Sequence, residues 1–269
     1  MSRFHRPELA IGALIGDLRV LASAPGGGYR AVDRKGRHAI VDFTTGDGPA
    51  LRAIESHPGV AAILARGVHD GRSWRATEIP NGMPLYDVIA KRTLEPRELS
   101  ALVREIATVL DYAHDRGVIH GALALRSITL STGELPFPVC IADWGAPADT
   151  GVYAAPERGR AHDGRVDVYA LGVIAFRSLL GRFPAANELP PPSTPRSLAR
   201  LIARMTTAQA ELRPTAGEVV ALASELLTDP PGTPRFASPR WTPAPPITSE
   251  LTSATSGEID DPSPRQREP

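Results

Sequence analysis

The chain has 269 residues, 42% of them apolar, which is enough for one large or two small domains with a substantial core. Lys and Arg together number 30, as do Asp and Glu, so the formal charge is zero and no global field draws the chain to nucleic acid or to an anionic membrane. A single cysteine, Cys140, excludes an internal disulfide framework and points to a reducing compartment.

Residues 1–13 read as an N-terminal extension, and the start from Met1 to Arg6 lacks the apolar run of a secretory signal. Residues 14–79 alternate short β-type runs with glycine-rich breaks. Leu18 to Leu21, Tyr29 to Val32 and His38 to Phe43 are predicted strands, with Gly26-Gly27-Gly28 and Lys35-Gly36 at the turns between them. A short helical pattern over Pro49 to Ser56 and two further strands ending near Glu78 complete a small antiparallel sheet with one helix.

Residues 80–227 follow the helical period. Leu99, Leu102, Val103, Ile106, Val109, Leu110 and Ala113 recur at steps of three and four, giving one apolar face. Val168 to Leu180 is the longest apolar stretch, but Arg177 interrupts it and it is too short to span a bilayer; Leu171 to Leu180 has the composition of a buried helix. Ser197 to Met205 and Thr215 to Leu227 are amphipathic, and Thr215 with Glu218 forms a capping-box start. Cys140 lies in the apolar run Pro138 to Ala142 and is expected to be a buried strand residue. Residues 228–269 hold ten of the 27 prolines and few apolar anchors, the composition of a disordered tail.

Five motifs, in order along the chain, carry a resemblance. Leu110 to His120 resembles the helix and strand that lead into a protein kinase catalytic loop. Asp143-Trp144-Gly145 resembles the metal-binding triplet, with Trp in place of Phe. Tyr153-Ala154-Ala155-Pro156-Glu157 resembles the end of an activation segment, Asp167 to Gly172 the start of the central buried helix, and Leu212-Arg213-Pro214-Thr215 the approach to the last helices. Together they make the chain similar to the bacterial Ser/Thr protein kinases. The resemblance implies an α+β, bilobal protein kinase-like fold: a small antiparallel sheet, a mainly helical second lobe, and here a trimmed outline. It also implies structural work for His120 in the catalytic spine, for Asp167 on the catalytic-loop amides, and for a largely buried ion pair of Glu157 with Arg213.

Set against that family, the chemistry is depleted. Phosphoryl transfer needs positioned phosphates, metal ions and a carboxylate that orients the acceptor hydroxyl. Ala122 stands at the place of the catalytic Asp, Ala124 at that of a phosphate-steadying Lys, and Ser127 at that of a metal-binding Asn. No acid lies between His120 and Ile128. Leu21 and Ser23 fall at the first two glycine positions of the nucleotide loop and only Gly26 fits the third, while Pro25 removes an amide donor. Val41 is read at the place of the ATP-binding Lys, and its Glu partner falls near Gly48, in a sequence opposed to helix. Arg30, the nearest cation, is read as a solvated strand residue. Asp143 survives as one weak metal ligand, with a hydrogen bond to backbone or to Ser127 as its alternative use. Glu78 and Ile79 would form the hinge against which a nucleotide base could lie. Nine residues, Ala146 to Ala154, replace a long activation loop, and the linker Asn187 to Pro195 is short for a partner-recognising helix.

The expectation is therefore a cytoplasmic pseudokinase that acts as a scaffold or allosteric partner, with no cofactor or at most weak ATP and Mg²⁺ binding. A divergent kinase or nucleotidyl transferase with residual ATP binding is the alternative, and a sensor using the cleft for another ligand is a third class. Protein partners would be met through the tail, where Thr233, Ser238, Thr242 and Ser263 each precede a proline and Phe236 and Trp241 are apolar anchors.

Overall fold

In the computed structural model the described residues are 9–24, 28–43, 49–131, 138–146, 151–157, 163–185 and 188–228. Pro25, Gly26, Gly48, Asn187 and the proline-rich tail lie outside them.

Strands β1 (Leu14–Ile15), β2 (Leu18–Ser23), β3 (Tyr29–Val32), β4 (His38–Phe43), β5 (Ile63–His69) and β6 (Arg72–Glu78) form one antiparallel sheet, in the order β1-β2-β3-β4-β6-β5. The helix α1 (Pro49–Arg52) stands between β4 and β5. Alternate side chains leave opposite faces of a strand, so the sheet has two distinct surfaces. One closes a core of Ile15, Leu18, Val20, Ala31, Ala39, Val41, Trp74 and Ala76. The other carries Asp42, Arg75 and Arg66, which lie directly across from one another on β4, β6 and β5. Arg75 donates to the Trp144 carbonyl, so this second face is the one turned towards the helices.

The rest is helical. It comprises α2 (Leu85–Lys91), α3 (Pro96–His114), α4 (Arg165–Leu180), α5 (Arg196–Met205) and α6 (Ala216–Thr228), with a small sheet of β7 (Met83–Pro84), β8 (Ile128–Leu130) and β9 (Val139–Ile141). Helix α3 begins on Pro96, whose missing N–H would have had no helical partner there, and the Glu98 side chain accepts from the Glu95 amide at 3.0 Å. Its apolar stripe buries Leu99, Ile106 and Leu110 completely, and each such side chain contributes about 1.5–3 kcal/mol. Helix α4 is buried on almost every side, and at Gly172 it comes so near α5 that a Cβ would lie 2.8 Å from that of Met205. Thr215 and Glu218 cap α6 reciprocally, at 2.7 and 3.2 Å.

Backbone joins the two parts: Ile141 donates to the Gly59 carbonyl at 2.8 Å and accepts from the Ala61 amide at 2.9 Å. Cys140, on β9, is half-buried rather than fully buried, and desolvation with the nearby Glu78 charge pushes its thiol up to about 11. No helix among the described residues is long and apolar enough to cross a membrane.

Candidate functional site

The segment between α3 and β8 is organised from below by α4. Asp167, 1% exposed, accepts the amides of His120 and Gly121, each at 2.8 Å, and meets His114 Nε2 at 2.8 Å. Three such bonds compensate a carboxylate that would otherwise be costly to bury. His120 is also buried, and desolvation lowers its pKa although Asp167 pulls the other way. As neutral imidazole its Nε2–H donates to the Ala142 carbonyl at 2.8 Å, while Nδ1 accepts the Ala122 amide at 3.3 Å. Its ring packs on Trp144, centroids 4.7 Å apart.

Ala122 and Ala124 are 2% and 1% exposed. A methyl group has no lone pair with which to take a proton. Ser127 is buried too: its hydroxyl donates to the Ala124 carbonyl at 2.8 Å and accepts the Ala124 amide at 3.1 Å. Its one proton is thus engaged, and of the two alternatives for Asp143, backbone or Ser127, the bond to Ser127 does not form.

Asp143 itself is exposed and has a left-handed backbone, φ 64°. An L-residue pays about 1–2 kcal/mol there, less for Asp than for most, so the turn is held by its surroundings. They are identifiable. Ala146 donates to the Asp143 carbonyl at 3.0 Å. Trp144 is buried, with its indole N–H bonded to the Ile141 carbonyl at 2.9 Å and its own carbonyl bonded to Arg75. Behind Trp144, a cavity of about 10 Å³ lined by Ile54, Val60, Ile63 and Thr77 has room for one water.

The sheet sets Val41 apart from this loop. Val41 pairs with Ala76 and is fully buried in the outer core, on the face turned away from Trp144. The β4 residue on the face of Arg75 is Asp42, one position further on, because a shift of one residue reverses the face of a strand. Asp42 reaches beneath Gly28: a Cβ at Gly28 would lie 2.4 Å from the Asp42 Oδ1 and 2.8 Å from the Val41 carbonyl. On this face β4 thus presents a carboxylate. Beside it β6 presents Arg75, followed on β5 by Arg66, which forms an ion pair with Glu55. Neither Asp42 nor Arg75 belongs to the five motifs. The signal for them in the sequence is a pair of opposite charges within two predicted strands.

At the hinge, the Glu78 amide donates to Ala62 and the Ile79 amide to His38, both at 2.8 Å, so neither N–H is left to point at a ligand. Glu157 and Arg213 meet through two bonds of 2.6 and 2.7 Å. Arg213, 2% exposed, also donates to the carbonyls of Thr207 and Ala208. Burial works against the Glu157 carboxylate, but the Arg213 and backbone hydrogen bonds outweigh it and hold its pKa below the ordinary range. The structure thus gathers His120, Ala122, Ala124, Ser127, Asp143 and Asp167 around one loop. It sets the half-buried Glu157 with the buried Arg213 in a separate pair and places Val41 apart.

No model of a known protein family matches the chain. It is 35% identical over 147 residues to the serine/threonine-protein kinase PknJ of Mycobacterium tuberculosis, a match covering 48% of this chain and 25% of PknJ. Similarity to PknI of the same organism is 32% over 151 residues, covering 53% and 25% of the two chains. For pkn2 of Myxococcus xanthus it is 30% over 159 residues, covering 52% and 19%. The chain therefore spans about a quarter of the length of PknJ and PknI. Among solved structures, a double mutant of the M. tuberculosis PknI kinase domain superposes with a TM-score of 0.63 at 26% identity, over 81% of this chain and 99% of that one.

Proposed function

We propose that this chain, whose homologues are bacterial serine/threonine protein kinases and whose fold is that of a kinase domain, is a pseudokinase that works as a scaffold or allosteric partner. The observation that carries the reading is the loop from His120 to Ile128, in which a buried Ala122 stands at the catalytic-base position and no acidic residue is present. A positioned general base is worth about 10²–10⁴-fold in rate. The carboxylate of Asp42 under Gly28 adds to this, since it would repel the phosphates that a lysine would attract.

The test is phosphate transfer from labelled ATP with Mg²⁺ or Mn²⁺ to generic protein acceptors, using the whole chain. The expected result is no incorporation above background. Incorporation that disappears in Asp143→Ala overturns the proposal, whereas label insensitive to that change belongs to a contaminant. The second reading, a divergent kinase or nucleotidyl transferase, is favoured by the exposed, left-handed Asp143, which keeps one carboxylate in a position to meet a divalent ion.

The proposal includes a cytoplasmic location and partner binding through residues 228–269. Four hydroxyl–proline steps there suit a groove that reads extended chain, and phosphorylation of one would add about −1.5 to −2 charge. Partners captured by the full chain but lost from a 1–227 truncation would support that role for the tail. Identical partner sets would remove it.

A further inference from the structure

Arginines on the surface of this protein commonly lie against a carboxylate: Arg37 with Asp33, Arg92 with Glu98, Arg165 with Asp163 and Arg182 with Glu188. Helix α5 departs from that habit. It carries Arg196, Arg200 and Arg204 at steps of four, so the three guanidiniums share one stripe, and the helix contains no acid. All three are exposed, and among the described residues none takes part in a hydrogen bond or an ion pair through its side chain. Like charges at this spacing repel one another, and the helix keeps them.

Beside the stripe runs a groove of about 330 Å³ between α5 and α6. Leu201, 3% exposed, belongs to the core beneath it, and the half-buried Leu222 and Leu226 form its apolar wall. Arg200 and Arg204 stand on one rim, and Glu225 is the single acid on the other. An occupant must therefore offer apolar side chains to the leucines and negative charge to the arginines. Guanidinium forks match carboxylates in pairs, which favours an acidic peptide over a merely apolar one.

We propose that the α5–α6 groove is a docking site for an acidic amphipathic segment of a partner protein, with its hydrophobic residues on Leu222 and Leu226 and its carboxylates on Arg196, Arg200 and Arg204. The groove shares no lining residue with the loop around Asp143, and the inference stands whether or not the chain transfers phosphate. Its rim is basic on one side only, so the segment docks in one orientation, and its affinity falls as salt rises.

The experiment is selection of a random 16-residue peptide display library on the full chain without nucleotide, with the double variant Arg200→Glu, Arg204→Glu as counter-target. Both positions are exposed, so the melting temperature should be unchanged; if it is not, Arg200→Gln, Arg204→Gln takes its place. The expected result is a set of peptides rich in Asp and Glu, with Leu, Ile or Phe at helical spacing, that bind the variant at least tenfold more weakly. The proposal is overturned if no peptide distinguishes the two proteins, or if those that do are basic or uncharged. It is also overturned if phosphatidylserine vesicles sediment the native chain, but not the variant, while no peptide discriminates, because the stripe would then be a membrane-facing surface.

Discussion

His120 is held as neutral imidazole by bonds that use both ring nitrogens, one as donor and one as acceptor. A second proton would place charge in a desolvated site and break the acceptor bond to Ala122. Its folded-state pKa lies below the ordinary 6.5, so the unfolded chain binds the proton more readily. Stability from this residue is accordingly complete above pH 6.5 and is lost as the pH falls through the lower folded value. Melting temperature measured from pH 8 to pH 5 should fall on the acid side, and His120→Phe should flatten that slope. An unchanged slope would show that another group controls it. His57 contributes in the same sense, since desolvation and then the Arg116 charge lower its pKa.

The ion pair of Glu157 with Arg213 acts between elements. It fastens the segment that ends at Glu157 to the turn before α6, and the further bonds of Arg213 to Thr207 and Ala208 draw in the end of α5. Removing one partner of a buried pair typically costs about 3–5 kcal/mol, because the other charge is left uncompensated. Arg213→Ala should lose an amount of that order in chemical denaturation, with Arg213→Lys falling between. A loss below about 0.5 kcal/mol for Arg213→Ala, the range of ordinary surface changes, would show that the pair bears no structural load. Elements were well marked in the sequence, and the reason is physical. β3 and β4 are bounded by glycine-rich breaks, α3 has an uninterrupted three-and-four repeat, and α6 begins with a capping box. What the residue string did not resolve was the face of β4, since His38 to Phe43 is nearly continuous in apolar character and fits either register. Only pairing with β6 decides that Asp42, and not Val41, looks towards Trp144.

Across the whole molecule the consequence is for ligands of the cleft. A nucleotide present at 100 times its dissociation constant would add about 2.7 kcal/mol. At about 2–4 °C per kcal/mol for a domain of this size, that is a shift of several degrees. We expect less than about one degree with millimolar ATP and Mg²⁺. A rise of several degrees that vanishes in Asp143→Ala would show a nucleotide site that tolerates Asp42.

The row from Asp42 through Arg75 and Arg66 to Glu55 limits what a single substitution can do on this face of the sheet. Exchanging Asp42 for lysine would not by itself make a phosphate clamp. It would leave three cations abreast on adjacent strands facing the one carboxylate of Glu55, and like charges directly opposite in a sheet repel. A change of sign at Asp42 would call for a change at Arg75 as well, and with it the loss of the strut to the Trp144 carbonyl. The charges of the row are therefore interdependent, and a substitution at one of them is felt at its neighbour across the strand.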